Sequence, residues 1–316
     1  MSTVSILMAN YNNGSFIEES INSVVNQKFR NWELVIFDDC SSDNSLEIIR
    51  KFVQLDDRIS LASNPKNFGC GFTKAEAAKS AKGDFMIFLD PDDALHEDAI
   101  LNLMEIHRMN VKCSIAYANS FICDEKLKVK YIFNYPGQVK EGETQLTIGS
   151  NKITAPALFK AACYKDTVGI NPLLEKAVDQ DLYSKLEEKG TLVYLDKPLY
   201  YYRQHSGGIS QSNADNNIKA QYWNMVIAKE TYKRRKKNPS SFCRNLTKGE
   251  LKQIKFLYYQ REVHNMLAKG NLKSCFVNMV KCIVVLNKRT WKSFLATTKF
   301  ILAKFIGKKK TLQASC

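Results

Sequence analysis

The chain has 316 residues, 45% of them hydrophobic and 25% charged, the proportions of a soluble globular protein and not of a disordered one. Its net charge of +14 lies wholly in the last third: residues 1–210 hold 23 Lys and Arg against 28 Asp and Glu (−5), and residues 211–316 hold 23 against four (+19). No uncharged apolar run reaches the length of a membrane span, the start has no basic region ahead of an apolar core, and nine scattered cysteines lack CxxC spacing. A transmembrane helix, a signal peptide, a disulfide framework and a zinc site are therefore all unexpected, and a reducing cytosol fits.

In chain order, Val4–Ala9 is a short apolar run that predicts a strand, and Asn10–Gly14 a turn. Ser15 starts a helix with Glu18 three residues on as a capping box, and Ile17, Ile21, Val24 and Val25 follow at helical spacing. Trp32–Phe37 predicts a second strand, running into Asp38 and Asp39, then a helix with Leu46, Ile49, Phe52 and Val53 on one face. Ile59–Ala62 is a third strand, 67–71 a loop, and Ala75, Ala77, Ala78 and Ala81 mark a helix of small residues. This alternation predicts right-handed crossovers and a mostly parallel sheet flanked by helices, an α/β fold. Further on, Asp98–Met109 and Asp181–Lys189 read as helices, and Ser114–Ile122, Lys130–Tyr135, Thr191–Leu195 and Leu199–Arg203 as strands.

The stretch DFMIFLDPDD at 84–93 organises the rest. Phe85–Leu89 is a continuous apolar run, as in a strand buried on both faces, and Pro91 ends it. Asp90, Asp92 and Asp93 then stand together at the sheet edge where α/β proteins bind ligands. Three such charges repel unless a cation lies between them, and hard ions such as Mg²⁺ or Mn²⁺ take oxygen ligands with phosphate as co-ligand. Two readings fit these residues alone: a metal–diphosphate site, or an acidic turn capping the next helix.

Taken together, the stretches VSILMANYNNGSFIEESINSVVNQ, WELVIFDDCSSDNS, NFGCG, AKGDFMIFLDPDD, VDQDLYSKLEEKG and YYYRQHSGGIS resemble, in that order, the family 2 glycosyltransferases, inverting nucleotide-sugar transferases of the GT-A fold. The resemblance covers residues 4 to about 210. It implies that Ala9 and Tyr11 line a base pocket and that Asp39 accepts from a pyrimidine N–H, which favours UDP-sugars. It implies that Asp90 approaches the ribose, that Asp92 binds the metal with Asp93 assisting, and that Lys74 touches the diphosphate. It makes Asp179 the general base that takes the acceptor's proton, and His205 a ligand of metal or diphosphate with Arg203 a cationic neighbour. The chain departs from the family pattern at Val178, where Glu is usual, at Lys74, where Arg is usual, and at Ala77, where Gly is common. Local alternatives exist: a half-buried turn aromatic for Tyr11, and helix capping for Asp39 or Asp179.

From Asn216 the chain reads as helical and cationic, with KRRKK at 233–237. Trp291, Phe294, Leu295, Ile301, Leu302 and Phe305 share one helical face, with lysines off it. Such a segment lies in a membrane interface among anionic headgroups, or packs on its own domain; no nucleic-acid reading motif is present. The expectation is a GT-A glycosyltransferase domain at 1–210 and a basic helical region at 211–316 that associates with a membrane or packs on the domain. The enzyme would be metal-dependent and cytoplasmic, peripheral on the inner face of the cell membrane. It would move a sugar from a nucleotide-sugar donor to a hydroxyl of a glycan or lipid-linked acceptor in surface polysaccharide synthesis. The rivals are an inactive membrane-docked partner of a glycan assembly complex, and a nucleotidylyltransferase. The latter needs a glycine-rich and basic loop after strand one, where ANYNNGS carries no charge.

Overall fold

A computed structural model describes residues 2–147, 150–208, 214–286, 290–296 and 298–299. The first half is a regular alternation: β1 (Val4–Asn10), α1 (Ile17–Val25), β2 (Trp32–Asp38), α2 (Ser45–Leu55), β3 (Ile59–Ser63), α3 (Cys70–Ser80) and β4 (Phe85–Phe88). There follow β5 (Ala94–Leu95), α4 (Ala99–Met109), β6 (Cys113–Cys123) and β7 (Val129–Phe133). Next come β8 (Leu146–Thr147), β9 (Ser150–Asn151), β10 (Ala157–Lys160), α5 (Ala161–Lys165), α6 (Val178–Leu186) and β11 (Thr191–Arg203). The helices α7 (Ala214–Lys237), α8 (Lys248–Ala268) and α9 (Leu272–Val284) complete the described elements.

The main sheet runs β3-β2-β1-β4-β10-β6-β11-β5, with β7 paired to β6. β3, β2, β1 and β4 are mutually parallel. β10 enters antiparallel between β4 and β6, and β11 returns to β6 in parallel. Val4, Ile6 and Met8 of β1 and Leu34 and Ile36 of β2 bury against Ile17, Ile21 and Val24 of α1 and Ile49 of α2. Leu7 and Val35, on the opposite face, are buried as well, as in strands covered on both sides.

Three expectations need correction. No capping box forms at α1, whose N-cap is Phe16 without a side-chain bond. The turn before it is tied instead to the next loop, because the Gly14 amide donates to Asp43 Oδ2 (2.7 Å) and the Asn13 amide to Ser45 Oγ (3.1 Å). The two aromatic strands at 191–203 are one, β11, with register shifts around Pro198, where a ladder donor is missing. And α6 begins at Val178, a turn earlier than the apolar spacing indicates. That start matters, because it puts Asp179 inside the first turn.

Two compact units emerge. One joins the residues up to Gln211 with Arg234–Asn245, and the other holds Ser212–Lys233 with the chain from Leu246. The charge-based boundary near 210 thus leaves out a segment that packs with the first unit. The reason is a buried ion pair: Arg235 meets Glu187 and also bonds Glu188 Oε1 (2.8 Å) and Thr144 Oγ1 (3.0 Å). Two arginines of the KRRKK run are therefore spent on Glu187 and Glu188. In the second unit, Thr247 and Glu250 form a capping box at α8, whose Phe256, Val263 and Leu267 pack with Cys275 and Cys282 of α9. Of the apolar tail face expected from the sequence, Ile301, Leu302 and Phe305 lie outside the described residues.

Candidate active site

The carboxyl ends of β1, β2 and β4 point the same way, so the turns that follow them converge. Asn10, buried at the end of β1, donates to Asp38 Oδ1 (2.8 Å) and Ser41 Oγ (3.2 Å), which locks the first two turns together. Ala9 lies beside Phe37 in the ladder, and Tyr11 stands out of the turn, 48% exposed. Asp39 is buried and does not cap α2. Its Oδ1 accepts from Asn64 Nδ2 (2.7 Å) and the Phe68 amide (2.9 Å), and its Oδ2 from the Gly69 amide (2.7 Å). Gly69 has φ +92°, the left-handed region that brings this amide round. A carboxylate accepts about four bonds, so Asp39 keeps room for one more donor.

Gly71 lets the loop before α6 close on α3: a Cβ there would stand 2.5 Å from the Leu174 carbonyl oxygen. The approach places Lys74 of α3 between two acids. Its Nζ lies 2.9 Å from Asp90 Oδ1 and 3.0 Å from Asp179 Oδ1, with the ammonium 5.2 Å from the Phe88 ring centre. Burial would pull its pKa down, but the Asp179 and Asp90 charges more than reverse this and hold it well above the usual value. Lys74 is therefore a buried cation shared by Asp90 and Asp179. Asp181 points elsewhere, buried and bonded to Lys185 Nζ (2.5 Å). The Cys70 thiol, close by, is pushed up to about 11 by burial. It stays protonated near neutrality and offers no thiolate nucleophile.

The acid turn splits by role. Asp92 Oδ2 lies 3.0 Å from His205 Nε2, and the imidazole packs on Phe16. Burial and then the Asp90 charge raise the Asp92 pKa, while His205 opposes them. Asp93, assigned to the metal from sequence, is turned inward: Oδ2 accepts from the Tyr200 hydroxyl (2.8 Å) and Oδ1 from the Arg203 amide (2.8 Å). Burial, then Asp92 and Asp90, push its pKa well above the carboxylate range. Arg203 also departs from its expected role at the diphosphate. Its buried guanidinium donates to the Asp92 carbonyl (2.6 Å), the Glu125 carbonyl (2.5 Å) and Glu19 Oε2 (2.6 Å). It fastens the turn from behind. Glu19, Tyr200 and Phe16 were not legible as site residues, since nothing in their own segments marks them.

Among the described residues, no group of three or more His, Cys, Asp or Glu is arranged to hold a metal. The pair Asp92–His205 still fits one. Adjacent ligands of an octahedral ion with bonds of about 2.1 Å stand about 3.0 Å apart, and these atoms are 3.0 Å apart. Mg²⁺-type sites commonly use one or two protein ligands and complete the shell with substrate phosphates and water.

The family model described as Glycosyl transferase family 2 matches residues 5–161. A chondroitin synthase of Pasteurella multocida (strain Pm70) is 30% identical over 213 residues, 67% of this chain and 22% of that protein. The matched part thus spans about a fifth of that relative's length. Among solved structures, S. aureus TarS 1–349 in complex with UDP-GlcNAc has a TM-score of 0.62 at 18% identity, over 92% of this chain and 82% of that one. A mannosyltransferase from Pyrobaculum calidifontis, PcManGT, in complex with GDP-Man and Mn²⁺, has a TM-score of 0.56 at 12% identity, over 93% and 84% of the two chains. At such identities the likeness carries the fold, and that fold is GT-A with a helical C-terminal part.

Proposed function

Because the chain belongs to the family 2 glycosyltransferases of bacterial type, we propose that it is an inverting, metal-dependent sugar transferase. The donor is a nucleoside-diphosphate sugar, a UDP-sugar in this reading. The acceptor is a hydroxyl of a glycan or lipid-linked glycan in the synthesis of a surface polysaccharide. What carries the reading is the juxtaposition of Asp90, Lys74 and Asp179 beside the Asp92–His205 pair. The chondroitin synthase relative and the UDP-GlcNAc bound to TarS support polymer and donor class.

In this mechanism Tyr11 and Ala9 flank the base, and Asp39 uses its remaining acceptor position for a base N–H. Asp90 faces the ribose. Asp92 and His205 would hold Mg²⁺ or Mn²⁺, which supplies Lewis-acid stabilisation of charge on the departing diphosphate; Mn²⁺ bound to PcManGT supports that choice. Asp179 removes the proton of the acceptor hydroxyl as that oxygen attacks the anomeric carbon from the side opposite the leaving group. Lys74 restrains the Asp179 carboxylate and stays charge-paired with Asp90 once Asp179 takes the proton. We further propose peripheral contact of the basic C-terminal region with an anionic membrane.

A nucleotide-sugar panel scored for slow hydrolysis with Mn²⁺ tests donor and metal together. Asp92→Asn should abolish turnover and weaken donor affinity only when metal is present. Asp179→Asn should keep donor binding and lose about 10²–10⁴ in transfer rate, the worth of a positioned base. Asp181→Asn should instead lower stability, by stranding Lys185. If Asp181→Asn is the variant that loses transfer with stability intact, the base is misassigned.

A further inference from the structure

Helix α9 is apolar on two sides. Cys275, Met279 and Cys282 pack on Phe256, Val263 and Leu267 of α8. The opposite side carries Phe276, Val277, Val280, Ile283 and Val284 at i, i+1, i+4, i+7 and i+8, one helical face. That face is open: exposure is 68% at Phe276, 53% at Ile283 and 72% at Val284. A helix apolar all round belongs in an interior, and a contiguous exposed apolar patch marks an interaction surface.

Charge selects what covers it. Lys273 sits within the face and Lys281 at its border, its ammonium 5.6 Å from the Tyr259 ring centre. From Val263 to Cys316 the sequence holds eleven Lys and Arg and no Asp or Glu. A second copy would press this positive surface against itself. A neutral bilayer would leave the lysines unused. An anionic bilayer takes both features, since the apolar face enters the acyl boundary while each lysine near the surface contributes about 1 kcal/mol.

We propose that α9 is a membrane-docking helix, lying in the interface of an anionic bilayer with Phe276, Val280 and Ile283 inserted. The inference rests on the membrane contact proposed above and names the surface that makes it. It also fits an acceptor that is itself carried in lipid.

The test uses the full chain with vesicles of phosphatidylglycerol in phosphatidylcholine, and of phosphatidylcholine alone. In Phe276→Trp, the added emission over wild type should be water-like in buffer, shift to the blue with anionic vesicles and revert with salt. The triple variant Phe276→Ser, Val280→Ser, Ile283→Ser should cosediment at least about tenfold more weakly with its melting temperature unchanged. Blue emission in buffer at every concentration means the chain covers its own face; blue emission that grows with concentration means a second copy does. Either result overturns the proposal. A wild-type chain that ignores anionic vesicles overturns it together with the membrane contact. A wild-type chain that binds, with no shift at position 276 and no loss in the triple variant, overturns the assignment to α9 alone.

Discussion

Arg203 shows how a single residue in a recognised motif can do work its motif does not announce. The run Tyr-Arg-Gln-His draws attention to a cation near a diphosphate, but the guanidinium points into the protein. Its partner Glu19 is 184 positions away in sequence, a separation no local pattern reports. By donating to the Asp92 carbonyl, Arg203 sets where the Asp92 carboxylate stands relative to His205. Lysine has no planar fork and cannot serve Asp92, Glu125 and Glu19 at once. Arg203→Lys should therefore lower stability by about 2–3 kcal/mol, the cost of leaving buried acceptors unpaired. It should also weaken Mn²⁺-dependent donor binding more than metal-free nucleotide binding, which calorimetry with and without Mn²⁺ will separate. Asp90 and Asp92 stand where the sequence puts them, after a strand that its apolar run marks, whereas the place of Asp179 rests on the resemblance, since α6 starts a turn before its apolar spacing indicates. Asp93 was misread because sequence cannot tell an acid facing out of a turn from one facing in.

At the scale of elements, the alternation through α4 was readable because each strand is an apolar run and each helix has a periodic face. β5 and β10 were not, being two and four residues long; they exist because the sheet supplies their partners. β10 brings a consequence with it. Its Leu158 carbonyl accepts from His107 Nε2 of α4 (3.0 Å), and the ring packs on Phe85. Burial lowers the His107 pKa from 6.5 to about 4; the Leu158 carbonyl opposes this and the Lys160 charge adds to it. The folded state thus resists a proton that the unfolded chain accepts. Stability is full above pH 6.5 and is lost progressively as pH falls toward 4, by up to about 3 kcal/mol. His107→Gln keeps a donor for the carbonyl and removes the titration. Wild type and variant should differ less and less in stability as pH drops through that window, which denaturant melts at stepped pH will read.

For the molecule as a whole, the catalytic unit is not a contiguous stretch of chain, and α6 is where this matters. Its first turn carries Asp179 and its C-cap is Glu187, next to Glu188. The far end is held by Arg235, so residues 234–245 brace the helix that presents Asp179, the proposed base. Composition hid this, because KRRKK looks like a solvated run and only the fold shows Arg235 buried, and Arg234 half-buried, against acids. Removing one partner of a buried pair strands the other charge, at a cost of about 3–5 kcal/mol. Arg235→Met alone should therefore destabilise the catalytic unit by that amount. It should also lower transfer more than donor hydrolysis, because a loosened α6 misplaces Asp179 against the acceptor while leaving the donor contacts in place. The double variant Glu187→Leu, Arg235→Met removes both charges and should recover most of the stability, since apolar replacement of a buried pair is often neutral. If transfer returns with stability in the double variant, bracing of the helix is what the pair contributes. If stability returns and transfer does not, the charges themselves act on the site.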